Sequence, residues 1–130
     1  DFVLVHDAAR PCLRYEDLRR LIVEGSKTGG ALLAAPLRDA LKRADGRNCS
    51  VDTEPRGTFW RAFTPQMFRR GELIIALERA RNDGVIVSDD AQAMERCGFH
   101  PLLVEGAEDN IKITTPADLK LAEFLLERTL

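Results

Sequence analysis

The sequence predicts an α/β fold: a twisted, mostly parallel sheet flanked by helices, with a β-arm projecting from it. Three observations lead there. Two continuous apolar runs, Phe2-Val3-Leu4-Val5 and Ala31 to Ala35, fit strands covered on both faces. Between them, Leu18, Leu21, Ile22 and Gly25 recur at helical spacing, and strand–helix–strand is the unit that builds parallel sheets. From Pro36 to Pro65 the periodicity lapses into short mixed segments separated by turn residues.

Each element follows in order. The first strand is expected at 2–5, in mid-sheet. A central strand at the very start lacks a neighbour, which leads us to expect the C-terminal part of a longer protein. His6-Asp7-Ala8-Ala9-Arg10-Pro11 is a polar turn that Pro11 keeps from becoming helix. A helix spans about 15–27 and ends at Gly29-Gly30. In the arm, residues 36–63, short strands are expected at 41–44, 48–53 and 58–62. None has a long apolar face, so the arm needs another surface to pack against. A helix at about 70–81 stops at Asn82-Asp83-Gly84. Ser88 is the expected N-cap of a helix running to Cys97 and closed by Gly98. Short strands are expected at 102–105 and 111–114. Thr115-Pro116-Ala117-Asp118 then opens the last helix with a cap, a proline and an acid.

Composition narrows the functional classes. The 130 residues suit one domain, and 45% hydrophobic with 31% charged residues is ordinary for a globular chain. No apolar run is long enough to cross a bilayer, so no membrane partner is expected. Cys12, Cys49 and Cys97 lack the spacing of a zinc or redox motif, which fits a reduced, cytoplasmic protein. Residues 36–72 carry a net charge of +3 and residues 73–130 a net of −5. A basic middle in an acidic chain suits a small anionic ligand better than a nucleic acid, which needs a broad basic face.

The candidate chemistry gathers at strand ends. Asp7 and Arg10 follow directly on a predicted strand, at the sheet edge where open α/β folds bind ligands. A carboxylate there can hold Mg²⁺ and an arginine can grip phosphate. Lys112, in Asp109-Asn110-Ile111-Lys112, can neutralise a phosphate or snorkel to solvent. Arg56, Thr64 and Ser88 can each reach an anion, and each can equally be surface or cap. No nucleophile–histidine set and no Walker-type glycine loop is present. A phosphate monoester needs no such base, because its second pKa of about 6 leaves it ionised at neutral pH.

Taken together, His6-Asp7-Ala8-Ala9-Arg10-Pro11, Phe63-Thr64-Pro65-Gln66, Ser88-Asp89-Asp90-Ala91, Val104-Glu105-Gly106 and Asn110-Ile111-Lys112-Ile113-Thr114, with Pro116 and Asp118-Leu119, resemble the 2-C-methyl-D-erythritol 4-phosphate cytidylyltransferase family of the non-mevalonate isoprenoid pathway. The motifs agree in order over nearly the whole chain. The resemblance implies a Rossmann-like nucleotidyltransferase in which CTP and the methylerythritol phosphate give the cytidine diphosphate product and pyrophosphate. It implies Mg²⁺ as cofactor and a homodimer joined through the arm. By position, Lys112 and Arg56 become catalytic, with Arg56 holding the substrate phosphate of the neighbouring subunit. Asp7, Arg10, Thr64, Ser88 and Asp109 become substrate-binding, and Asp7 a metal ligand.

Departures from the pattern bear on these expectations. The family's N-terminal half, with its glycine-rich CTP loop, is not among these residues, so the chain alone is expected to bind CTP poorly. Ala40 stands where similar enzymes usually carry Thr, and Ser88 where they carry Thr. Two other readings therefore stay open: a cytidylyltransferase for another polyol phosphate such as ribitol 5-phosphate, and a non-catalytic dimerisation or ligand-binding module.

Overall fold

The structure is a computed structural model and describes residues 1–129. Its elements are β1 (Phe2–Val5), α1 (Tyr15–Thr28), β2 (Gly30–Pro36), β3 (Leu41–Ala44), β4 (Ser50–Glu54), β5 (Trp60–Arg69), α2 (Arg70–Asn82), α3 (Asp90–Arg96), β6 (Leu102–Glu105) and α4 (Pro116–Thr129). The main sheet has the order β1-β5-β2-β6. Strand β5 runs antiparallel to both of its neighbours and β6 runs parallel to β2. Three of the four strands therefore share one direction and β5 alone opposes them, so the sheet is mixed.

Alternation along β2 divides the core between the two faces of the sheet. Ala31, Leu33 and Ala35 pack with Leu21 of α1, Phe63, Met67 and Val104. Leu32 faces the other way, onto Phe68, Leu73, Ala76, Ala91 and Met94, which brings in α2 and α3. A side chain at Gly30 has no room: an added Cβ would lie 2.8 Å from both the Phe68 and the Phe99 ring. Helix α1 ends at Gly29, whose φ of 84° is the left-handed conformation that a helix stop requires.

Four expectations change. Among the described residues strand β1 pairs only with β5, antiparallel to it, and so stands at the sheet edge; Phe2 and Val3 pack against opposite faces, and Leu4 and Val5 are exposed. The third arm strand is the start of β5, which runs on through Pro65 to Arg69. A proline reads as a strand break because it cannot join the ladder. Here the ladder passes from Leu32↔Gln66 to Ala34↔Ala62, so Leu33 alone faces Phe63, Thr64 and Pro65, and the bulge absorbs the proline. Residues 111–114 form no strand; Ile113 N–H donates instead to Ala9 O at 2.8 Å. The N-cap of α3 is Asp89 rather than Ser88, because the Asp89 carboxylate accepts from Gln92 N–H at 2.8 Å.

The remaining arm strands form a separate two-stranded hairpin, β3 with β4, nearly all of it exposed. Asp45 Oδ1 accepts from Arg47 N–H and Cys49 N–H to close its turn. Among the described residues no helix is long and apolar enough to cross a membrane.

Candidate active site

The bulge in β5 turns Thr64 toward the loop that follows β1, and these two segments with residues 87–90 and Lys112 enclose a cleft of about 490 Å³. Asp7, Arg10, Thr64, Ser88 and Lys112, far apart along the chain, all line it. Arg10 is held firmly. Its side chain is 12% exposed, Nε donates to Asp7 Oδ2 at 3.1 Å, Nη1 donates to Asn110 O at 2.6 Å, and the guanidinium lies over the Phe63 ring. A guanidinium has five N–H donors, so these bonds orient it and leave donors for an anion. Lys112 Nζ stands 3.9 Å from the same Asp7 oxygen and is half-exposed, a loose pair that a phosphate can displace.

The floor is built by Gln66, which is 2% exposed. Its Nε2 donates to Phe63 O at 3.2 Å and to Asp89 Oδ2 at 3.1 Å, and its Oε1 accepts from Ala91 N–H at 2.9 Å. One side chain thus fixes the start of α3 against β5. Ser88 N–H and Oγ both bond Gln92 Oε1, at 2.6 and 3.0 Å, so the Ser88 hydroxyl is oriented by α3. Burial first, then the charges of Asp89 and Asp7, raise the Asp90 carboxyl above its ordinary value.

Two expected site residues lie elsewhere. Asp109 pairs with Arg14, accepting from its Nε at 3.2 Å, and lines a small groove with Cys12 and Tyr15. Arg56 sits in the loop after β4, where Nη1 donates to Arg38 O at 2.6 Å, and it does not line the cleft. Conversely, Gln66 and Asp90 are cleft residues to which the sequence assigned no role. Asp90 is legible from Ser88-Asp89-Asp90 only as helix-start charge, and nothing in periodicity marks Gln66.

Among the described residues no cluster of three or more potential metal ligands exists. The cleft does carry Asp7, Asp89 and Asp90 against Arg10 and Lys112, a formal charge of −1. That balance opposes two phosphorylated ligands unless a cation joins them. Mg²⁺ held by one or two carboxylates together with ligand phosphates fits this donor set; a cage made wholly of protein does not.

A protein-family model for 2-C-methyl-D-erythritol 4-phosphate cytidylyltransferase matches residues 1–128. The chain belongs to this family. The Escherichia fergusonii protein of that name is 56% identical over 133 residues, which cover 100% of this chain and 56% of its own length. A crystal structure of 4-diphosphocytidyl-2C-methyl-D-erythritol synthase superposes with a TM-score of 0.88 at 42% identity, covering 97% of this chain and 57% of that one. The Thermus thermophilus enzyme of the family gives a TM-score of 0.89 at 37% identity, covering 97% of this chain and 62% of that one. The chain thus spans a little over half the length of the curated relatives it matches.

Proposed function

We propose that this chain supplies the alcohol-phosphate site of an enzyme that joins CTP and 2-C-methyl-D-erythritol 4-phosphate, giving 4-diphosphocytidyl-2-C-methyl-D-erythritol and pyrophosphate. The observation that carries this reading is the meeting of Asp7, Arg10, Thr64, Ser88 and Lys112 in one cleft. A phosphate monoester oxygen forms a bond to the α-phosphorus of CTP while the bond to the bridging oxygen breaks and pyrophosphate leaves. Because the attacking oxygen is already ionised, the chain need only position the reactants and neutralise their charge. Arg10, clamped by Asp7 and Asn110, is the pre-aimed donor. Lys112, loosely paired, is the mobile cation that moves to the phosphates and offsets the charge brought together there. Asp7 keeps both cations at the cleft in the absence of ligand.

Asp7, with Asp90 nearby, would hold Mg²⁺, which when bound supplies charge neutralisation on the phosphates. The exposed hairpin β3–β4, with no core of its own, supports a homodimer in which Arg56 reaches the partner's substrate phosphate. The free thiols Cys12, Cys49 and Cys97 fit a cytoplasmic setting.

The test is pyrophosphate release by the complete protein with CTP, Mg²⁺ and each of two alcohol phosphates, methylerythritol 4-phosphate and ribitol 5-phosphate. Turnover of the first, abolished by chelating Mg²⁺, is expected. Faster turnover of ribitol 5-phosphate would move the substrate assignment to that alcohol. Binding of CTP without turnover of either would leave a ligand-binding module.

A further inference from the structure

His6, the neighbour in sequence of the cleft residue Asp7, lies in a closed hydrogen-bonded ring with three other residues. Its Nε2 is 3.0 Å from Arg10 O, and its Nδ1 is 2.9 Å from Thr64 Oγ1. Arg10 Nη1 donates to Asn110 O, and Asn110 Nδ2 donates to Thr64 O at 2.8 Å. Asn110 is 1% exposed, and its Oδ1 has no partner among the described residues, so this side chain serves the ring through Nδ2 alone.

The chemistry of the partners fixes the protons. Arg10 O is a carbonyl and can only accept, so His6 Nε2 carries the hydrogen. In the neutral ring Nδ1 is then an acceptor, and the Thr64 hydroxyl must donate to it. Thr64 Oγ1 also accepts from Asp7 N–H at 2.9 Å. Its single proton is spent inward, on His6, and what remains toward the cleft is a lone pair. Each of the four residues donates once and accepts once around the ring, so each fixes the position of the next.

We propose that His6 is a positioning residue: by taking the Thr64 proton on Nδ1, it presents Thr64 to the cleft as a hydrogen-bond acceptor. An acceptor selects a ligand hydroxyl and rejects a phosphate oxygen. Given the alcohol-phosphate reading on which this rests, the polyol end of the substrate belongs at Thr64, and its phosphate belongs toward Arg10 and Lys112. Because the imidazole is exposed, it contributes little to stability, and substitutions there leave the fold intact.

Two measurements on the complete protein decide the matter. In nitrogen-15 spectra of the histidine rings at neutral charge, the His6 signals are assigned by their loss in His6→Gln. His6 is expected as the Nε2–H form, with an Nδ1 signal that shifts in Thr64→Val as its bonded proton is lost. In kinetics, His6→Gln keeps a donor for Arg10 O but places no acceptor at the Nδ1 position, whereas His6→Asn keeps an acceptor near it. His6→Gln is expected to raise KM for the alcohol phosphate about tenfold with KM for CTP unchanged, and His6→Asn to recover most of that loss. An Nδ1 signal indifferent to Thr64→Val, equal losses in the two His6 variants, or a loss carried by CTP would each overturn the proposal. Should the wild-type protein turn over no alcohol phosphate, the reaction assignment fails, while the nitrogen spectrum still decides the role of His6.

Discussion

Gln66 Nε2 and the Asp89 carboxylate, from β5 and the cap of α3, are joined by a 3.1 Å hydrogen bond beneath the cleft. The same Gln66 side chain accepts from Ala91 N–H, one of the donors that a helix start leaves without an intrahelical partner. Truncation to Ala orphans that buried donor and frees one oxygen of the cap. Gln66→Ala is expected to lower stability by about 1–3 kcal/mol in urea titration. Gln66→Glu should cost more at neutral pH than in mild acid, because its carboxylate would face that of Asp89. A Gln66→Glu protein with pH-independent loss would show that the contact with Asp89 is not made.

Lys112 makes the contrasting case. It is half-exposed and stands 3.9 Å from Asp7, so its pairing contributes under about 1 kcal/mol to the fold. Its consequence should be catalytic. Lys112→Met in the complete protein is expected to reduce kcat by roughly 10²–10³-fold, the scale of losing one donor to developing charge, with an unchanged melting temperature. A drop in melting temperature that matches the lost activity would count against a role in the reaction.

How far the site could be read from sequence depended on the range of the interactions. Asp7 and Arg10 were legible because they directly follow an apolar strand, and the expected cleft holds five of the nominated residues. Helices α1, α2 and α4 were legible because spacing and cap residues are local signals. The continuation of β5 was hidden by Pro65, since a bulge that accommodates a proline is set by the partner strand β2 and not by the residues themselves. Asp17 shows the same limit: a charged residue interrupting a helical face was passed over, yet it is buried with Leu21 because its carboxylate accepts from Ala107 N–H at 2.8 Å, ninety positions away. Asp109 was drawn into the site by its neighbours in sequence, and Arg14, from the start of α1, holds it elsewhere.

Cys12 is buried and its thiol is pushed above its ordinary value, first by burial and then by the charge of Asp109. Cys49 and Cys97 are exposed. Since the thiolate is the reactive form, maleimide should label Cys49 and Cys97 quickly in the native protein and reach Cys12 only through local opening. Mass mapping of a time course checks this, and early labelling of Cys12 would show that the contact of its Sγ with Ala122 O on α4, 3.9 Å in the structure, is not maintained.

Asp90 should shape the pH dependence of stability. As the first residue of α3 it gains from the helix dipole, yet burial and the charges of Asp89 and Asp7 outweigh that gain and raise its carboxyl. An acid whose folded value lies above its unfolded one binds its proton more tightly when folded. Stability from this group is therefore fully present at low pH and falls as pH rises from the ordinary carboxylate value through the raised one. At neutral pH the charged Asp90 opposes folding. Asp90→Asn is expected to gain stability at neutral pH, by less than about 1 kcal/mol because solvent reaches the half-buried group, and to lose that advantage in acid. Urea midpoints of the two proteins at neutral and acid pH give the comparison, and a neutral-pH loss in Asp90→Asn would mean that the helix dipole prevails at this position.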